Sequence, residues 1–257
     1  MYRFFKRTFD LFVSITAVVV LSWLLLLLVL LVAIFIGHPV IFKQPRPGKN
    51  GKIFMLYKFR SMTNKKDEKG ELLPDAQRIT KFGKFLRVSS LDELPQLFNI
   101  IKGDMSIIGP RPKLVKDVIF YDESVRSLMV RPGITGLAQV NGRNNNTWES
   151  MFVFDSIYVD KMSLGLDTKI FFKTFTEVLK RTGVNSGETN FQDYYYGDYL
   201  LRVGKITQEE YNQKMNQAKR IVEKFVSSRK FRKCYTMMRN KVKEQEEDFE
   251  LEHKIID

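Results

Sequence analysis

Two adjacent carboxylates, Asp92 and Glu93, stand inside residues 87–112, a stretch that ends in Gly109-Pro110-Arg111-Pro112. Neighbouring helical residues point about 100° apart. The two acids are therefore suited to different tasks, such as one on a metal and one on a substrate. Leu94, Leu97, Phe98 and Ile101 follow at i, i+3, i+4, i+7 spacing, which predicts a helix with that face buried. Lys102-Gly103 supplies a cation in the last turn and a glycine stop. The helix start has two readings. Ser90 and Glu93 fit a capping box, whereas Pro95 fits the first helical position, where its missing N–H is harmless. In both, the acids lie at a helix N-terminus, where the dipole favours their ionised form and the same end can hold a phosphate. The plainer reading of the pair is two solvated capping acids. Met105 to Ile108 reads as a short buried strand, and the Gly-Pro-Arg-Pro turn as a rigid mount for one guanidinium.

The rest of the composition narrows the chemistry. The chain has 257 residues, a net charge of +13, one cysteine (Cys234) and two histidines (His38 and His253). One domain of ordinary size with appendages fits that length. The positive balance points to a polyanion, an anionic membrane surface or phosphorylated substrates. A lone cysteine excludes an intramolecular disulfide framework and suits a reducing compartment. His38 borders an apolar run and His253 lies in a charged tail, so chemistry must fall to carboxylates, hydroxyls and basic groups.

Elements that would position the acids can be read in order. Residues 11–36 form an uncharged, mostly apolar run, long enough as one helix to cross a ~30 Å hydrocarbon core. It exceeds the apolar core of a cleavable signal, and no small-x-small site follows. Arg3, Lys6 and Arg7 precede it and Lys43, Arg46, Lys49 and Lys52 follow, so both flanks carry the cytoplasmic mark. Two arms of about 12 residues would each reach roughly 18 Å, past the middle of the core but not across it. Placing three cations on the outer face would cost about 2.3 kcal/mol per charge per 100 mV. Hydropathy alone favours a single span, while the two basic flanks and the charge cost point to a helix that enters and leaves on one face.

Two apolar stretches, residues 40–42 and 53–57, flank Pro47-Gly48-Lys49-Asn50-Gly51 and predict a hairpin with an Asn-Gly turn. Residues 113–128 read as a helix. The glycines of residues 130–144 imply tight turns and a close backbone approach, or else a surface loop; their spacing is not a dinucleotide fingerprint. Residues 148–162 read as a helix containing Asp155 and Asp160. Residues 167–184 place Ile170, Phe171, Thr174, Phe175, Val178 and Leu179 on one face beside lysines, the pattern of a helix lying in a membrane interface or packed on a core. Beyond that the composition turns polar. Thr207-Gln208-Glu209-Glu210 is a capping box opening a charged helix, read as a solvated appendage or a partner-binding helix.

Five blocks in this order resemble the bacterial sugar transferase family, the monotopic phosphoglycosyl transferases. They are Phe42-Lys43-Gln44 with Arg46 and Gly48; Lys58-Phe59-Arg60-Ser61-Met62; Ser90-Leu91-Asp92-Glu93-Leu94-Pro95-Gln96; Gly103-Asp104-Met105-Ser106 with Gly109-Pro110-Arg111-Pro112; and Pro132-Gly133-Ile134-Thr135-Gly136 to Arg143. The resemblance covers residues 6–182. It implies an α+β fold: a re-entrant membrane hairpin (residues 1–39), a small cytoplasmic catalytic domain with short strands and interfacial amphipathic helices (40–184), and a C-terminal helical extension (185–257). It also implies transfer of a sugar-1-phosphate from a UDP-sugar to undecaprenyl phosphate with release of UMP, at the start of capsule, O-antigen or other glycoconjugate assembly.

On this resemblance Asp92 is the nucleophile that forms a covalent phospho-sugar intermediate. Glu93, with Asp92, holds Mg²⁺, and Lys58, Arg87, Arg111 and Arg143 bind substrate. The physics is consistent: an anionic nucleophile meets an anionic diphosphate only with cations and a metal between them. The implied location is the bacterial inner membrane, with the catalytic domain on the cytoplasmic side. Implied partners are the two substrates, the membrane, and a second copy or downstream glycosyltransferases through the extension, with no nucleic acid. One departure stands out: the family's hairpin breaks at Ser-Pro, whereas Ser22 is followed here by Trp23. The competing reading is a membrane-anchored basic scaffold that binds polyanions without catalysis.

Overall fold

The computed structural model describes residues 2–121, 123–142, 147–179 and 195–227. The first two helices are α1 (Tyr2–Val20) and α2 (Ser22–Phe35), bent by 65° at Leu21. The bend thus falls one residue before Ser22. Among the described residues no single helix is long and apolar enough to cross a membrane, but this bent pair passes by length and composition together. Each arm has an inner and an outer side. On α1, Asp10 and Ser14 are buried while Phe5, Phe9, Phe12 and Val19 point outward at helical spacing. On α2, Leu28 and Val32 pack with Ile36 against the rest of the chain, and Trp23, Leu26, Leu30 and Ile34 face out.

Strands β1 (Ile41–Pro47) and β2 (Ile53–Phe59) form the antiparallel hairpin, with Ile41 opposite Phe59 and Pro47 opposite Ile53. Asn50 and Gly51 both take positive φ, 55° and 68°, as an Asn-Gly turn requires. Helix α3 (Lys81–Val88) is capped by the Thr80 hydroxyl, which accepts the Gly83 N–H. Its glycine is there for proximity, since a Cβ on Gly83 would lie 1.8 Å from the Ser61 carbonyl oxygen.

The stretch around the acids differs in detail from the reading above. Leu91–Glu93 is a 3₁₀ turn, and α4 (Gln96–Lys102) begins only after it, with Pro95 in helical geometry at its N-cap. The proline reading of the helix start is therefore the nearer one, and the acids precede the helix. Gly103 ends it at φ 92°. The buried side is Gln96, Leu97, Asn99 and Ile100, while Phe98 faces out. Asn99 causes the rotation: its side chain accepts the Tyr57 N–H and donates to the Met55 carbonyl, so a fully buried amide satisfies the free edge of β2.

Strand β3 (Ser106–Ile108) pairs in parallel with β4 (Gly133–Thr135). The glycine-rich segment approaches the chain's own backbone. A Cβ on Gly133 would lie 2.2 Å from the Gly109 nitrogen, and one on Gly136 2.1 Å from the Gly109 oxygen. It is a buried joint, not a surface loop.

Residues 113–128 are not one helix. They form a short turn at Val115–Val118 and a 3₁₀ segment at Glu123–Met129. The ring of Tyr121 is drawn into an aromatic core, 4.4 Å from Phe152 and 4.3 Å from Tyr196, and β-branched Val115, Val118 and Ile119 give the helix little intrinsic support.

Helix α5 (Trp148–Asp160) and α6 (Leu164–Leu179) complete the second half. Helix α6 packs by Asp167 and Ile170, both buried, whereas Phe172 and Phe175 are exposed. Phe175 therefore does not share the side of Ile170, as the periodicity had suggested. Helices α7 (Tyr196–Arg202) and α8 (Gln208–Ser227) follow, the latter capped by Thr207 accepting the Glu210 N–H. They are not solvated all round: Tyr196, Leu200 and Ala218 are buried, and Tyr211 and Met215 pack on the cluster around Phe120 and Tyr121.

Candidate active site

Lys58 lies on the same side of β2 as the buried Phe54 and Leu56, because alternate strand residues share a face. Its ammonium consequently reaches the 3₁₀ turn that carries the acids. Lys58 Nζ is 2.7 Å from Glu93 Oε1 and 3.9 Å from Asp92 Oδ2. Arg111, mounted on the proline turn after β3, donates to the same Glu93 oxygen at 2.8 Å. Ser90, just before the acids, holds a left-handed φ of 57°, a strained conformation for a serine.

The two acids have opposite electrostatic fates. Burial disfavours the Glu93 charge, but Arg111 and Lys58 outweigh it and hold the carboxyl well below the ordinary glutamate range. At Asp92 burial dominates and pushes the carboxyl up. Lys58 offsets part of this and the neighbouring Glu93 adds to it.

Arg87 on α3 is set by the close seat of Gly83: its Nε donates to the Ser61 hydroxyl at 2.9 Å, and its charge acts on Asp92. Lys58, Arg87, Asp92, Glu93 and Arg111 thus border one cleft of about 960 Å³. Arg143 lies outside the described residues.

The cleft contains groups that motif reasoning had not singled out as site residues. Arg46 of β1 donates to the Pro112 carbonyl at 3.1 Å and to Gln44 Oε1 at 2.7 Å. Burial and the nearby Arg111 lower its pKa to about 10. Lys113 and Asp155, which also line the cleft, form a buried pair at 2.7 Å. Gln139 turns an amide toward the cleft whose two polar atoms are both buried without a hydrogen-bond partner. Arg46 was visible in the first block; nothing in residue spacing marks Asp155 or Gln139.

Among the described residues no cluster of three or more His, Cys, Asp or Glu side chains could hold a metal alone. Mg²⁺ commonly takes one or two carboxylates and completes its shell with water and substrate phosphate. The acid pair fits that donor set. Both cation contacts fall on Oε1 of Glu93, and among the described residues Oε2 makes none.

A strained turn, paired acids and converging cations thus share one cleft. The chain belongs to the bacterial sugar transferase family, whose model matches residues 1–181, and it is a transferase. It is 49% identical over 180 residues to the uncharacterized sugar transferase EpsL of Bacillus subtilis, covering 70% of this chain and 89% of that one. It is 44% identical over 200 residues to the undecaprenyl-phosphate galactose phosphotransferase of Salmonella typhimurium, covering 70% of this chain and 42% of that one. It is 42% identical over 185 residues to the UDP-glucose:undecaprenyl-phosphate glucose-1-phosphate transferase of Klebsiella pneumoniae, covering 66% of this chain and 39% of that one. The chain therefore spans under half the length of these last two relatives.

Proposed function

We propose that this protein transfers a sugar-1-phosphate from a UDP-sugar to undecaprenyl phosphate, releasing UMP, in two displacements at one phosphorus. The observation that carries the reading is the division of labour between adjacent acids. Glu93 takes up both cations and stays ionised, while Asp92 is buried and hydrogen-bonded to neither cation. The activities for which the Salmonella and Klebsiella relatives are named support the substrate class.

In the first displacement an Asp92 oxygen attacks the phosphorus that carries the sugar. The bond to the bridging oxygen breaks and UMP leaves with that electron pair. In the second, a phosphate oxygen of undecaprenyl phosphate attacks the same phosphorus and Asp92 departs as carboxylate, leaving a diphosphate-linked sugar. The sugar–oxygen bond is untouched, so no glycosidase-type acid/base pair is required. Lys58, Arg87 and Arg111 orient the diphosphate and offset its charge, with arginine matching two phosphate oxygens at once. Glu93 and Asp92 would hold Mg²⁺, which when bound neutralises charge on the diphosphate.

The bent pair α1–α2 is read as a hairpin entering and leaving on the cytoplasmic face of the bacterial inner membrane. In that reading the outward Phe5, Phe9, Phe12, Trp23, Leu26 and Leu30 face lipid. A topology test uses Cys234→Ser with Arg3→Cys and a membrane-impermeant thiol reagent. Protection in intact cells with labelling after lysis supports the hairpin, and labelling of intact cells rejects it.

The activity test supplies a panel of UDP-sugars with undecaprenyl phosphate and Mg²⁺ and measures UMP. With UDP-sugar alone, intact protein should gain the mass of one phospho-sugar. Absence of UMP and of the adduct across the panel would reject the reading.

A further inference from the structure

The family match stops at residue 181, yet the chain beyond it packs against residues that lead back to the cleft. Tyr196 stacks on Tyr121 at 4.3 Å, and a Cβ on Gly197 would lie 2.5 Å from the Phe120 ring, so α7 is seated closely. The first amide of α7 has a specific acceptor: Tyr196 N–H donates to Asp117 Oδ1 at 3.2 Å. Asp117 is 4% exposed, and its charge and that of Arg46 act on one another. Arg46 in turn donates to the Pro112 carbonyl, next to Arg111 on its turn.

We propose that the C-terminal segment Tyr196–Ser227 is an active-site positioning element, acting through Asp117 and Arg46 on the turn that presents Arg111. Two guanidiniums set side by side repel, and Arg46 and Arg111 do so here. The helical turn that carries Asp117 packs against β1, which carries Arg46, and the Asp117 charge offsets that repulsion. The N–H of Tyr196 fixes that carboxylate, and the aromatic seat around Tyr121 fixes the N–H. Asp117 and Tyr196 are positioning residues that need not touch substrate. The proposal rests on the reading above only in assigning Arg111 to the donor phosphates.

The test separates the amide from the ring. Tyr196 is the first residue of α7, where proline is tolerated, and Tyr195 has φ −62° and ψ 154°, the geometry a residue before proline prefers. Tyr196→Pro and Tyr196→Ala both lose the ring, but only the first loses the N–H. In the full chain, Tyr196→Pro should raise the donor KM over that of Tyr196→Ala, by up to about 10²-fold, the cost of misplacing a positioning group by 1 Å. Without substrate, hydrogen exchange at residues 105–115 should be faster in the proline variant. Asp117→Asn provides a second route: it keeps the size and an acceptor oxygen but removes the charge behind Arg46. It should raise donor KM without lowering the melting temperature, whether or not Tyr196→Pro folds. Unchanged KM and unchanged exchange in folded variants would overturn the proposal. If the wild type releases no UMP from any donor, the transferase reading fails, and the exchange measurement still decides the coupling.

Discussion

Lys58 and Asp92 stand 3.9 Å apart, beyond hydrogen-bond reach but within the range where one charge shifts the other's ionisation. Had Lys58 bonded Asp92 directly, the carboxylate would be stabilised and dulled as a nucleophile. Lys58 bonds Glu93 instead. Asp92→Asn should therefore reduce UMP release by roughly 10³-fold or more, as loss of a nucleophile does elsewhere. It should not destabilise the fold, because it removes a buried acid whose charge is disfavoured by its surroundings. The variant should lack the phospho-sugar adduct and melt at or above the wild-type temperature. Normal turnover would rule out Asp92.

The pH dependence follows from opposite shifts. The Asp92 carboxyl is raised, so its charge costs stability above its folded pKa, and the cost is relieved as pH falls through that value. Glu93 is lowered; its stabilisation is full above the ordinary glutamate pKa and is lost progressively as pH falls from there through its own much lower one. Activity should accordingly fall on the acid side at a pH above the ordinary aspartate range while the protein remains folded. Initial rates and circular dichroism across the same pH series would check this; loss of structure before loss of rate would contradict it.

Chelation should abolish turnover and added Mg²⁺ should restore it. Glu93→Gln should raise the Mg²⁺ concentration needed for half-maximal rate. It also leaves Lys58 and Arg111 without their shared anion, so donor affinity should change as well. Full activity in EDTA would show that the acid pair works without a metal.

Gly83→Ala should be damaging although it lies on a helix, where alanine usually stabilises by about 0.5–1 kcal/mol. The added methyl would meet the Ser61 backbone at 1.8 Å, and backbone cannot yield cheaply. Movement of α3 carries Arg87 away from Ser61 and Asp92. A higher donor KM together with a lower melting temperature is expected; a more stable, fully active variant would show that the contact is dispensable.

Lys113 and Asp155 are each buried, with side chains 9% and 5% exposed. Lys113→Met alone should cost about 3–5 kcal/mol by stranding the carboxylate. Adding Asp155→Leu should recover much of that loss. Denaturant titration of the single and double variants measures the difference, and additive losses would refute the pairing argument.

Much of this architecture could be read from residues. The Asn-Gly hairpin, the Gly103 stop and the Thr207 cap follow from local chemistry, whereas the gathering of Lys58, Arg87 and Arg111 around the acids was implied by the family resemblance alone. What escaped was tertiary. Asn99 looks like a break in an apolar face until β2 supplies two backbone partners for it. Residues 113–128 have a helical pattern, but the Tyr121 ring is worth more in the aromatic core. Arg46 belonged to a recognisable block, yet its link to Asp117 and thence to Tyr196 crosses 150 residues of chain, from position 46 to position 196, and leaves no periodic trace.

Helix α1 is held along its inner side by groups from three distant places. Lys6 and Tyr2 donate to Asp167, Arg7 donates to the carbonyls of Ile100 and Ile101, and Asp10 accepts the Ile107 N–H. These bonds tie it to α6, α4 and β3, and the Arg111 turn follows directly on β3. The outward stripe of Phe5, Phe9 and Phe12 is thereby kept at a constant height relative to Asp92. With Asp92 as the nucleophile proposed above, whatever surface receives those phenylalanines would set the depth at which the carboxylate works. A lipid-borne phosphate would then be met at one level, as by a ruler, without a search along the bilayer normal.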